Sequence, residues 1–278
     1  MAEMPPPRRV SGLFPPLLRT TSTPVEADEY TLMDAAEQAM WWYRAMHAHA
    51  MDRLPAGTRL VDAGCGTGGF LARARAGLEV PGSVGVEYNA DAAARAATKS
   101  GVPVVAASVN ALPLTDASFE AMTSLDVLCH SGAEPAALLA EARRVLAPGG
   151  RLVLNLPALP WLSSAHDMRV FTVRRYTRAS ITAALEASGF VDIRARYWNA
   201  LLLPLMIVQR KLLQSGADAP SDVGAFPPWL DAILFAVTRA ERGLMRLGLN
   251  FPVGGSLIVT ATRPLSRPLS RPLPRPLA

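Results

Sequence analysis

One stretch, Leu60 to Gly69, constrains this chain more than any other: it reads Leu-Val-Asp-Ala-Gly-Cys-Gly-Thr-Gly-Gly. An apolar strand runs into a glycine-rich turn and then into a helical segment. Glycine lets the backbone come close to a ligand, and a helix start offers unpaired N–H groups. Glu87 closes the next apolar run, 23 positions after Gly64. A carboxylate there is placed to accept hydrogen bonds from both hydroxyls of a ribose. The pair therefore predicts a nucleoside-containing ligand. Asp62 stands immediately ahead of the turn. It suits a ligand that carries an ammonium group and would repel a pyrophosphate, and the turn departs from the Gly-x-Gly-x-x-Gly spacing of dinucleotide sites.

The surrounding pattern is α/β. Arg59 to Ala63, Ser83 to Tyr88, Pro103 to Ser108, Phe119 to Leu125 and Arg151 to Leu156 are short apolar runs expected as buried strands. Helices are expected at Gly69 to Gly77, Ala90 to Ser100 and Pro135 to Leu146, the last stopped at Pro148-Gly149-Gly150. Such alternation predicts a doubly wound parallel sheet. Thr177 is a candidate cap for a helix over Arg178 to Ser188, followed by strands at Val191 to Trp198 and Ser256 to Thr262. Thr31 to Leu54 is expected as a helical stretch, and the interval from about 199 to 255 as a cap inserted over one end of the sheet. The chain has 278 residues, half of them hydrophobic, enough for one enlarged domain over 29–262.

The ends differ from this body. Residues 1–28 are rich in Pro, Ser and Thr without periodicity and are expected as an irregular lead. Residues 263–278 repeat Arg-Pro-Leu four times, which predicts an extended tail. That tail holds four of the 28 basic residues, so the net charge of +5 leaves the rest near +1, with no nucleic-acid footprint. Two cysteines, Cys65 and Cys129, fit a reducing, cytoplasmic setting. No signal peptide or membrane-spanning run is read, and nothing specifies an oligomer.

Four ordered motifs, Val61 to Gly68, Gly85 to Asn89, Ala111 to Glu120 and Arg144 to Leu152, make the region from about residue 40 to 198, with the last strand, resemble the class I S-adenosylmethionine-dependent methyltransferases. The resemblance implies a Rossmann-like, mostly parallel seven-stranded sheet with an antiparallel last strand, and S-adenosylmethionine as cofactor. By similarity, Asp62 and the turn of Gly64, Cys65, Gly66 and Gly68 hold its methionine end, and Glu87 holds the ribose. Tyr88 flanks the adenine. Ser108 stands where the family commonly has an acid on the adenine amino group, followed by Val109. Leu125 and Asp126 lie near the sulfonium. Cys129 replaces an acid that close relatives carry, so no acid role is carried over to that position.

Methyl transfer from a sulfonium requires alignment and exclusion of water, with a general base only where the nucleophile is a hydroxyl. His130, just past the fourth strand, is the first candidate, and His166, beside Asp167, the second; each also fits a purely structural place. His47 and His49 are two apart and face different ways on a helix, so no metal site is predicted. Trp161, Arg174, Arg175 and Tyr176 follow the fifth strand, where a ligand-facing loop is expected, and the arginines are candidates to grip a phosphate or carboxylate on the acceptor. Trp41, Trp42 and Tyr43 are consecutive and cannot all face one core, so Trp42 and Tyr43 are candidate pocket residues. The insertion is apolar with basic flanks, which suits a small or lipid-like acceptor or a peripheral membrane contact; packing on the sheet is the plainer account of the same residues. The expected activity is methyl transfer, at oxygen. A nucleotide-dependent oxidoreductase and a non-catalytic binding module of the same fold are the alternatives.

Overall fold

The structure, a computed structural model, describes residues 24–163, 172–209 and 226–265. Strands β1 (Leu60–Ala63), β2 (Val84–Glu87), β3 (Val104–Ala106), β4 (Phe119–Leu125), β5 (Leu146–Pro157), β6 (Val191–Trp198) and β7 (Ser256–Thr262) form one sheet in the order β3-β2-β1-β4-β5-β7-β6. The pairs from β3 through β5 are parallel, and β7 runs antiparallel to both β5 and β6. This is the expected α/β architecture. Strand order reverses between β1 and β4, so a crevice opens beyond their carboxyl ends, where open sheets of this kind bind ligands.

Helices α1 (Pro24–Ala36), α2 (Trp41–Met51), α3 (Gly69–Leu78), α4 (Ala90–Ser100), α5 (Pro135–Val145), α6 (Arg178–Ala187), α7 (Leu203–Val208) and α8 (Pro228–Arg246) surround the sheet. Local chemistry sets several boundaries. The Asn89 side chain accepts from the N–H groups of Asp91 and Ala92 at the start of α4, and Gly101 in the left-handed region ends it. Thr177 and Ser180 form a reciprocal capping box on α6. Pro135 opens α5, where its missing N–H costs nothing. The two faces of the sheet carry separate cores. One is built from Leu138, Leu152, Leu154, Leu156, Ile181 and Leu185. The other is built from Ala50, Leu60, Phe70, Val153, Trp198 and Met245.

Four expectations are corrected. Helix α1 begins at Pro24, inside the stretch expected as an irregular lead, with proline at its first position; residues 1–23 lie outside the described residues. The stretch Thr31 to Leu54 is two helices, broken at residues 37–40. The break has a long-range cause: Trp41 N–H donates to the Asp231 carboxylate of α8 at 2.7 Å, so α2 is capped from a distant part of the chain. Strand β5 starts at Leu146, paired with Phe119, and shifts register before Arg151 pairs with Ala121; Gly149, with φ of 80°, turns the excursion. The start of the expected tail is docked, since Arg263 exchanges backbone hydrogen bonds with Gly149 and Gly150; residues 266–278 lie outside the described residues.

Helix α8 lies alongside α2 and runs in the same direction. Asp231 in its first turn meets Trp41 and Arg44, while Arg242 and Arg246 near its end both bind Asp52 past the end of α2. Against the cost of burial, these two guanidinium groups hold the Asp52 carboxyl down at about 2. Glu241 anchors the beginning of the insertion by accepting from the N–H groups of Ala200 and Leu201.

Candidate functional site

The glycine turn is held open by the backbone. Gly64 N–H and Cys65 N–H both donate to the Val86 carbonyl, at 2.7 and 3.0 Å, which ties the turn to β2. Gly64, Gly66 and Gly68 have φ of 80°, 56° and 89°, values that side-chain-bearing residues rarely adopt. Gly66 N–H donates to Glu87 Oε2 at 2.9 Å, and Asn89 N–H donates to Glu87 Oε1 at 3.0 Å. Glu87 is thereby fixed at the end of β2 with its carboxylate against the turn.

Asp62 lies behind the turn, buried, with Thr123 Oγ1 donating to it at 2.6 Å and no ion pair among the described residues. Burial pushes its carboxyl up to about 7; the Thr123 bond opposes this, and the neighbouring charges of Glu87 and Glu37 add to it. A buried acid surrounded by other acids lacks a cation. The Thr67 hydroxyl in the same turn is also buried without a hydrogen-bond partner among the described residues. A Cβ at Gly64 would come within 2.3 Å of Val127 Cγ2, and one at Gly66 within 2.8 Å of Met33 Cε, so the turn is a close-walled cradle. A ligand with an ammonium group and a ribose fits these residues in charge and in donor set.

Helix α1 supplies a wall that the sequence did not disclose. Tyr30 OH donates to Glu87 Oε1 at 2.9 Å, Met33 faces Gly66, and buried Glu37 faces Gly69 while paired with Lys99 of α4. Tyr88, 60% exposed, stands open on the rim beside Glu87, and Val109 is buried. Ser108 accepts from Asn110 N–H at 3.2 Å.

The end of β4 forms the opposite wall. Leu125 is half-buried. Asp126 takes a left-handed φ of 55°, a conformation that costs a non-glycine residue roughly 1–2 kcal/mol. Asn155 of β5 holds it twice: its carbonyl accepts from Asp126 N–H, and its Nδ2 donates to Asp126 Oδ1, both at 2.9 Å. Trp198 Nε1 in turn donates to Asn155 Oδ1 at 2.9 Å. Burial pushes Asp126 to about 7, with the Asn155 bond and the Arg175 charge pulling against it. Neither Asn155 nor Trp198 was anticipated. The only local sign was an amide inside the apolar run Leu152 to Leu156.

Several predicted acceptor contacts have another occupation. The Arg174 guanidinium donates to the carbonyls of His130 and Ala133, at 2.8 and 2.9 Å, and Tyr176 OH donates to the Leu128 carbonyl at 3.0 Å. Both brace the loop after β4. Arg175 donates to the Ala158 carbonyl at 2.9 Å. His130 sits half-buried in that loop, its N–H donating to the Val127 carbonyl. The Cys129 thiol is buried, which raises its pKa and keeps it neutral, and its Sγ contacts the Asp126 carbonyl. Trp161 is exposed. Trp42 is half-buried, stacked on Trp198 at 6.4 Å with Tyr43 edge-on at 5.1 Å, whereas Trp41 is core. His166 and Asp167 lie outside the described residues. Burial lowers His47 and His49 to about 3, so both are neutral core residues, packed on Phe70 and Trp198.

Comparison with known proteins points to methyltransferases. A family model described as a methyltransferase domain matches residues 61–154. A protein of Mycobacterium tuberculosis, named "Probable S-adenosylmethionine-dependent methyltransferase", is 28% identical over 93% of this chain and 97% of its own length. An uncharacterized 37.1 kDa protein in a transposon of Streptomyces fradiae is 32% identical over 59% of this chain; the match spans only 48% of that protein. A solved S-adenosylmethionine-dependent methyltransferase of Thermotoga maritima shares the fold with a TM-score of 0.56 at 19% identity, over 85% of this chain and 95% of its own. Geranyl diphosphate C-methyltransferase of Streptomyces coelicolor, solved with geranyl diphosphate and S-adenosyl-L-homocysteine, aligns with a TM-score of 0.53 at 17% identity, over 80% and 77% of the two chains. At such identities the structural likeness bears on the fold alone.

Proposed function

We propose that this chain, which belongs to the class I S-adenosylmethionine-dependent methyltransferases, moves the methyl group to a small or lipid-like acceptor, at oxygen. The observation that carries the cofactor part is Asp62, a buried acid beside a glycine cradle and a strand-end glutamate, with no cation partner among the described residues. When bound, S-adenosylmethionine supplies an activated methyl group on a sulfonium. Asp62 and the turn from Gly64 to Gly68, with Cys65 between, would hold its amino-acid end and Glu87 its ribose. Tyr88, Ser108 and Val109 would line its base, and Leu125 and Asp126 would border the sulfonium. The catalytic unit is assigned from α1 through β7, residues 24–262.

The acceptor class is supported by half-buried Trp42 and Tyr43, which pack edge-on in the same apolar cluster as Leu125 at the end of β4, and by exposed Leu205, Val208, Trp229 and Ile233 on α7 and α8. The same exposed residues support a peripheral membrane contact through the insertion. No helix among the described residues is long and apolar enough to cross a membrane. A cytoplasmic location accompanies the proposal, supported by two free, buried cysteines.

Calorimetry with S-adenosylhomocysteine tests the cofactor reading, and Asp62 gives it a sign. An ammonium group beside Asp62 favours its charged form, so binding below about pH 7 must release a proton. Affinity is expected to rise about tenfold per pH unit as pH approaches 7 from below, and to level above it. Titrations in two buffers of different ionisation enthalpy count the proton directly, and the Asp62→Asn variant should lose both the release and the slope. Binding of NADH in place of the sulfur nucleoside would refute the reading.

A further inference from the structure

Asp126 is held in a way that lining a cofactor pocket does not require. Its backbone N–H and its Oδ1 are both tied to Asn155, leaving Oδ2 without a hydrogen-bond partner among the described residues. Asn155 is itself oriented: with Trp198 Nε1 donating to its Oδ1, the amide must present Nδ2 to the carboxylate. Trp198 cannot swing away, being fully buried, stacked on Trp42 at 6.4 Å and packed against the tilted His49 ring at 4.8 Å. The chain Trp198, Asn155, Asp126 therefore runs from this aromatic cluster to the end of β4. Its far end is placed by Val127, the next residue, which packs directly against Gly64 of the cradle.

We propose that Asp126 is the general base of the reaction, taking the hydroxyl proton of the acceptor on Oδ2, and that Asn155 and Trp198 are positioning residues for its carboxylate. The inference rests on the oxygen-acceptor reading above. As the acceptor oxygen bonds the methyl carbon, the carbon–sulfur bond breaks and its electron pair stays on sulfur. The hydroxyl proton passes to Asp126 and from there to solvent. Among the described residues, the charged and titratable groups facing this carboxylate are Arg175, from the segment before α6, and Cys129, from its own loop, a neutral thiol. Burial gives Asp126 a proton affinity matched to work near neutrality, while Asn155 and Arg175 keep its charged form accessible. His130, the base expected from the sequence, is the competing candidate on the same loop.

Methyl transfer from labelled S-adenosylmethionine to a series of primary alkanols, and to 4-nitrophenol at a pH where it is already ionised, separates the roles. Asp126→Asn is expected to lose alkanol turnover by about 100-fold or more. The loss should fall on the protonated acceptor: at saturating S-adenosylmethionine the ratio of alkanol to phenolate turnover is expected to drop by about the same factor. Asn155→Ala and Trp198→Phe should move the rising limb of the pH–rate profile to higher pH, because losing a donor to a carboxylate raises its pKa. Unchanged alkanol turnover in Asp126→Asn, equal loss of both acceptors, or selective loss of alkanol turnover in His130→Ala would each overturn the assignment. If the wild-type protein methylates neither acceptor while binding S-adenosylhomocysteine, the oxygen-acceptor reading falls and takes this assignment with it.

Discussion

Replacing Glu87 by alanine is expected to reduce S-adenosylhomocysteine affinity by at least about 100-fold in calorimetry and to lower the melting temperature of the ligand-free protein. The first effect follows from charge-assisted hydrogen bonds to a ribose, each worth about 1.5–3 kcal/mol. The second follows from what the carboxylate does in the ligand-free structure, where it accepts from Gly66 N–H, Asn89 N–H and Tyr30 OH. Three donors lose their acceptor at once, and α1 loses its hydroxyl contact with the turn. Two companion variants separate these contributions. Glu87→Gln keeps an acceptor oxygen but not the charge, so it should fall between wild type and alanine in both measurements. Tyr30→Phe leaves the two backbone donors satisfied and is expected to change affinity by less than about tenfold. An alanine variant that binds as well as wild type would remove Glu87 from the ribose and leave it a purely structural clasp on the glycine turn.

What the sequence disclosed about this site was local. The turn from Gly64 to Gly68 and Glu87 lie on adjacent strands with one helix between, and their spacing follows from the geometry of a βαβ unit. Thr177 announced its helix because the cap is a contact three residues long. The residues that escaped notice act over long stretches of chain. Tyr30 reaches Glu87 across 57 positions, Trp198 reaches Asn155 across 43, and Asp231 caps α2 across 190. A tyrosine, a tryptophan and an aspartate in amphipathic segments carry no local sign of the polar partner they will meet. Arg174 shows the converse. An arginine beside a site suggests an anion on local grounds, whereas the two main-chain carbonyls that its Nη1 also meets appear only once the loop after β4 has folded.

Gly68→Ala should be the most damaging single-methyl change in the cofactor half of the molecule. Gly68 caps α3 with φ of 89°, and a Cβ there would lie 2.7 Å from Ala96 Cα and 2.9 Å from Ala96 O, backbone atoms of α4 that cannot rotate aside. The left-handed conformation alone costs about 1–2 kcal/mol, and forcing two helices apart adds about 1–3 kcal/mol. Against a total stability on the order of 5–15 kcal/mol, that is a large fraction. Gly57→Ala provides the matched control, since Gly57 has φ of 73° but nothing within 4 Å of the added methyl. It should show the conformational cost without the clash, so the difference in unfolding free energy between the two variants measures the close approach of α3 to α4. Equal destabilisation would mean that α4 yields at little cost and that glycine is needed at Gly68 for its backbone angle alone. A larger loss in Gly68→Ala, accompanied by weakened S-adenosylhomocysteine binding, is the expected result, because Asn89, which caps α4, carries the Glu87 carboxylate's second donor.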